Sequence, residues 1–67
     1  MKTFKLYIDL ENDAFQPEAS REIACILRLI AEKINNRTDE DLSKYKTIFD
    51  INGNDVGRYA IKELPEK

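Results

Sequence analysis

The segment Asp50-Ile51-Asn52-Gly53-Asn54-Asp55-Val56-Gly57 holds both glycines of the chain and separates two runs rich in β-branched and aromatic residues. Asn-Gly is the strongest short-range hairpin signal, because a type I′ turn needs positive φ at both central residues. Asn tolerates that conformation, and Gly adopts it at little steric cost. The C-terminal third therefore reads as a β-hairpin over 45–61, with strands Tyr45–Ile51 and Asp55–Ile61. A two-residue turn at Asn52-Gly53 pairs Phe49 with Val56 and Tyr45 with Ala60, and sets Ile48 opposite Gly57. Tyr59 and Ile61 then share a face with Ile48, so both faces of the hairpin carry apolar residues. A one-residue bulge would change that accounting.

Upstream, residues 3–8 alternate: Phe4, Leu6 and Ile8 point one way, and Thr3, Lys5 and Tyr7 the other. Period two with apolar residues on one side is a half-buried strand, expected to turn Phe4, Leu6 and Ile8 toward a helix. An acidic connection follows, with Phe15 as an apolar plug. A helix is expected over 17–35, with Pro17 in its first turn and Glu18 and Glu22 near its positive end. Ala19, Ile23, Ile26, Leu27, Ile30 and Ile34 recur every three or four residues and define its buried stripe. Thr38–Lys44 is a polar linker in which Leu42 is expected to dip toward the core, and Lys62–Lys67 is expected to fray. These elements predict a single α+β domain over 1–67: one amphipathic helix on a three-stranded, mostly antiparallel sheet, in the order β-α-β-β.

Sixty-seven residues allow one domain at most. Such a chain buries about 60% of the surface its unfolded form exposes, so its stability margin is thin. The lone Cys25 makes no internal disulfide, and with no histidine the commonest transition-metal ligand is missing. Eleven basic and thirteen acidic residues of mixed order give a net charge of −2, which argues against a general nucleic-acid binder. No apolar run approaches a membrane span, and Phe4–Ile8 is too short and too charged for a signal peptide. The chain reads as a soluble, cytoplasmic and complete small gene product.

Several residue groups invite functional readings. Asp50, Asn52 and Asn54 have the spacing that opens an EF-hand loop. The match fails at its sixth position, Asp55 in place of Gly, and at its twelfth, Ile61 in place of Glu. Turn chemistry explains these residues better. Asp9, Glu11 and Asp13, and separately Asp39, Glu40 and Asp41, suggest a magnesium or paired-carboxylate site, solvated loops, or loops that engage a basic partner. Cys25 has no histidine to form its thiolate, so no catalytic residue, metal site or cofactor is assigned. On a helical wheel, Cys25 and Leu29 lie opposite the buried stripe, among Glu22, Arg28 and Glu32. An apolar spot ringed by charge is the anatomy of an interface centre and rim, although scattered exposed apolar residues are also ordinary. Arg28 and Glu32, four apart, suit an ion pair across the helix surface. A second face, with Tyr45, Tyr59, Lys46 and Arg58, would suit single-stranded nucleic acid through stacking and phosphate contact.

Three segments, Asp9–Phe15, Glu22–Arg28 and Asp50–Gly57, carry a resemblance that spans nearly the whole chain. In them the sequence resembles a family of short bacteriophage and mobile-element proteins, departing from it at Cys25, where a polar residue is expected. The resemblance transfers no activity residue by residue. It implies a phage or prophage accessory protein, and by analogy one that binds or inhibits a host component, including defence systems such as CRISPR effectors.

The leading expectation is thus a non-enzymatic protein-binding module that uses Cys25, Leu29, Glu22, Arg28 and Glu32 together with Asp9, Glu11 and Asp13. The alternatives are a small nucleic-acid-binding accessory protein and a homodimeric structural domain.

Overall fold

A computed structural model describes residues 1–63. Strand β1 (Lys2–Ile8) leads through a 3-10 turn (Asp13–Phe15) to helix α1 (Ser20–Asn35). A second 3-10 turn (Asp41–Ser43) precedes strands β2 (Lys46–Phe49) and β3 (Asp55–Glu63). The sheet is antiparallel, in the spatial order β1-β3-β2, so the last strand is central and both others are edges. This is the expected α+β architecture, with β-α-β-β along the chain.

The core is Phe15, Ile26, Ile30, Leu42, Ile48, Val56 and Tyr59, with Leu6, Ile8, Ile23, Ile34 and Ile61 packed against it. Phe15 is only 1% exposed, so the plug in the first connection is a central core residue. Leu42 joins the core as expected, carried there by the second 3-10 turn. Two residues of the apolar sets depart from expectation. Leu27 is exposed, because the helix turns its Ile26–Ile30 line to the sheet and leaves Leu27 at the margin. Phe4 shares the helix side with Leu6 but stays half exposed, its ring tilted against that of Tyr59 at 6.3 Å.

Helix α1 starts later than the sequence suggests. Pro17 and Glu18 precede it, the Gln16–Pro17 peptide is cis, and the first helical bond runs from Ile23 N–H to Ala19 C=O. Strand β1 begins one residue earlier than expected, at Lys2. Strand β2 ends at Phe49, two residues short of the expected Ile51, and Tyr45 precedes it. Strand β3 takes in Lys62 and Glu63, which were expected to fray; the rest of that segment, residues 64–67, lies outside the described residues.

The hairpin differs most. Gly53 has φ +82°, and no other described residue has positive φ, so the turn is not type I′. Gly53 N–H bonds to Asp50 C=O, and Asp50 N–H bonds to Asn54 C=O, each at 3.0 Å. That is a three-residue loop: a turn over Ile51-Asn52 closed by a left-handed glycine. The extra loop residue appears as a bulge. Lys46, Thr47 and Ile48 oppose Tyr59, Arg58 and Gly57 in the expected register, but Phe49 opposes Asp55 instead of Val56. The bulge frees Val56 to enter the core.

Register settles the faces, because directly opposed residues share one. Leu6 opposes Tyr59, Phe4 opposes Ile61, and Ile8 and Ile48 flank Gly57 from either side. Tyr59 and Ile61 therefore turn toward the helix. Lys5, Tyr7, Arg58, Ala60 and Lys62 turn away from it.

Candidate functional site

The turn Asp50–Asn54 is built around one carboxylate. Asp50 is 5% exposed, and its Oδ1 accepts the N–H groups of Asn52 and Asn54, both at 2.9 Å. Its Oδ2 accepts the side-chain amides of Asn54 and Asn12, both at 3.3 Å. These bonds, the Asn54 N–H first, hold its pKa below the ordinary carboxylate value and outweigh the opposing effect of burial. The Asp50–Asn52–Asn54 spacing, similar to the start of a calcium loop, therefore serves the turn itself. The Asn12 contact ties the acidic connection, with Asp9, Glu11 and Asp13, to the hairpin end of the molecule.

Glu22, in the first turn of α1, accepts the N–H of Ile51 at 2.9 Å and docks the hairpin tip against the helix. This sets Ile51 and Phe49 beside Cys25 and Leu29. The four side chains, with Ile26 beneath and Glu22 and Asp50 at the edge, line a cleft of about 170 Å³. Ile51 is 79% exposed, Leu29 58% and Phe49 55%, and Cys25 is an exposed free thiol. A wider depression on the other side of Ile51 is lined by Ala14, Pro17, Arg21, Glu22 and Cys25. Exposed apolar side chains are ordinary singly, but a contiguous group with charged neighbours marks an interaction surface.

The expected site residues separate into three groups. Cys25, Leu29, Arg28 and Glu32 lie together on the outer face of α1 and line one shallow surface. Glu22 is half buried and engaged by Ile51, so it builds the site as well as bordering it. Asp9, Glu11 and Asp13 are exposed; Asp9 accepts the Glu11 N–H at 3.0 Å, and Asp13 opens the first 3-10 turn. Arg28 and Glu32 form no ion pair with each other. The pairs among the described residues join Met1 to Glu63, Lys2 to Asp39, and Arg58 to Asp55.

At the start of the second 3-10 turn Asp41 accepts the Thr38 N–H at 3.1 Å, while the Thr38 hydroxyl accepts the Asp41 N–H at 3.2 Å. The Thr38 bonds hold the Asp41 carboxyl below its ordinary pKa. Asp41 is thus taken up by local structure and Asp39 by the Lys2 pair.

The alternative nucleic-acid set does not share one face. Tyr59 is 4% exposed in the core, and Lys46, directly opposite it, lies on the helix side as well. Alternation along β2 and β3 assigns both to that side, and the sequence without a register does not show it. Tyr45 and Arg58 remain on the open side.

Phe49 and Ile51 line the cleft, and periodicity and motif spacing do not single them out. One local signal points to Ile51: it is an apolar β-branched residue inside an otherwise polar turn, where nothing in turn chemistry favours it. No family model, curated protein or solved structure matches the chain.

Proposed function

We propose that the chain is a small non-enzymatic protein-binding module whose contact surface is the helix–hairpin patch of Cys25, Leu29, Phe49 and Ile51. The observation that carries this reading is the docking of Ile51 beside Leu29 through the Glu22–Ile51 bond. It gathers exposed apolar side chains from two elements into one cleft, where each element alone would offer one or two. Arg28, Glu32 and Glu22 form a charged rim, and the Asp9–Asp13 connection adds an acidic border suited to steering a basic partner. The resemblance carried by Asp9–Phe15, Glu22–Arg28 and Asp50–Gly57 supports a phage or mobile-element accessory protein that binds or inhibits a host factor.

Affinity capture from a bacterial lysate, with wild type and Leu29→Glu side by side, tests the reading. Wild type should retain a defined protein that Leu29→Glu loses. Equal capture by both would refute the patch. A concentration-dependent dimer in sedimentation, abolished by Leu29→Glu, would give the same surface to a second copy of the chain.

A further inference from the structure

The open face of the sheet has a composition unlike the rest of the molecule. Strand β1 contributes Thr3, Lys5 and Tyr7 to it, and β3 contributes Arg58, Ala60 and Lys62, in the pairs Thr3–Lys62, Lys5–Ala60 and Tyr7–Arg58. Tyr45 belongs to the same face, since the Lys62 Nζ lies 4.6 Å from the centre of its ring. Three cations and two tyrosines thus gather where these strands contribute no carboxylate except Asp55, which closes the end of β3 and pairs with Arg58. The whole chain carries −2, so its charge is sorted rather than spread.

Both tyrosines are exposed, Tyr7 by 59% and Tyr45 by 48%. They stand on opposite sides of β3, two strand spacings or about 10 Å apart. Ala60, opposite Lys5 on this face, is fully buried beneath its neighbours, so the exposed surface here is made by the longer side chains. Lys62 also donates to Ser43 C=O at 2.6 Å, which holds its ammonium group over Tyr45.

We infer that this open face binds single-stranded nucleic acid, with Tyr7 stacking on one base, Lys5 and Arg58 meeting phosphates, and Lys62 swinging from the Tyr45 ring to a third phosphate so that Tyr45 stacks on a second base. Sequence-tolerant single-strand binders combine a positive track with aromatic side chains, and open sheets in RNA-recognition modules stack two or three bases in this way. Paired bases offer no free face, so duplex is not the expected ligand. The surface is separate from the helix–hairpin patch, and the two proposals stand or fall independently.

Fluorescence anisotropy with a labelled oligothymidylate at low salt tests the inference. Wild type should bind, with a log–log salt slope of about −2, from about −0.7 for each of three phosphates met. Lys5→Gln should reduce the slope by about 0.7. Tyr7→Ala should weaken binding about tenfold, the loss expected for one stacked base. Tyr45→Ala serves if Tyr7→Ala fails to fold. Absence of binding at low salt would overturn the inference. So would affinity unchanged by the tyrosine variant, equal affinity for duplex, or equal displacement by polyglutamate, which shares the charge and lacks the bases.

Discussion

Gly57→Ala should cost this domain a large part of its stability. A Cβ on Gly57 would lie 2.0 Å from the Tyr7 carbonyl oxygen, 3.0 Å from its carbon and 3.1 Å from the Ile8 Cα. Ordinary carbon–oxygen contacts begin near about 3.3 Å, so β1 must retreat by more than about 1 Å. The obstacle is backbone, which has no rotamer to yield. The retreat would also stretch the β1–β3 ladder and the Asp9 N–H to Val56 C=O bond of 2.6 Å. Overpacking typically costs about 1–3 kcal/mol, and a clash confined to backbone belongs at the upper end. A domain of this length has about 3–10 kcal/mol in all. At about 1 kcal/mol per molar urea, the midpoint of unfolding should fall by about 3 M, measured by far-UV circular dichroism. Gly53→Ala is the control. Gly53 has φ +82° but no atom within 4 Å of an added Cβ, so that substitution should cost only about 1–2 kcal/mol of backbone strain. A Gly57→Ala midpoint equal to wild type, or a larger loss at Gly53, would refute the close strand approach and with it the register that sorts the two faces.

Two further outcomes follow from the core and the turn. Phe15→Ala should destabilise by about 3–5 kcal/mol, because a fully buried ring at the centre of the core is removed; thermal unfolding that leaves Tm unchanged would contradict its placement. Asp41, Asp50 and Asp55 are all held below the ordinary carboxylate pKa of 3.8, Asp55 chiefly by its bond to Arg58. The folded state therefore binds fewer protons than the unfolded chain near that pH. The stability these groups add is complete above the unfolded value and is lost as pH falls through their lower folded values. Urea midpoints should accordingly be flat from neutral pH to about 5 and fall below about 4, and Asp50→Asn should flatten that fall. A midpoint that rises on acidification would contradict the turn-centred role of Asp50.

The elements were legible in the sequence wherever one periodicity met one environment. The alternation of Leu6 and Ile8 located β1, and the Ile26–Ile30 spacing located the buried line of α1. The misses sit where geometry beyond the local pattern decides. Leu27 matches the helical stripe, yet a stripe one residue too wide exceeds what a narrow three-stranded sheet covers. Asn52-Gly53 matches a type I′ turn, but Asp50 captures the N–H groups of Asn52 and Asn54 and favours the three-residue loop instead. The bulge that results places Val56 in the core and leaves Phe49 outside. Because the register over Lys46–Ile48 was unaffected, Ile48 opposes Gly57 as expected. Whether Tyr59 faced the helix, however, was not decidable from the strand alone.

The candidate site divides in the same way. Cys25 and Leu29 were visible because a helical wheel needs only local spacing. Ile51 and Phe49 were not, because their place beside the helix depends on the long-range bond from Ile51 to Glu22. The cations of the open face were hidden in a mixed charge pattern until pairing assigned Lys5, Arg58 and Lys62 to one side.

The helix–hairpin patch is the proposed seat of a partner, and the single thiol of the chain provides a direct probe of it. Cys25 is exposed at the edge of the cleft and can carry a thiol-linked photocrosslinker without a further substitution. Irradiation in bacterial lysate should yield a discrete adduct for wild type that Ile51→Asp, altered at a neighbouring position in the cleft, abolishes. An adduct undiminished by Ile51→Asp, or none above the background of a denatured control, would contradict the account.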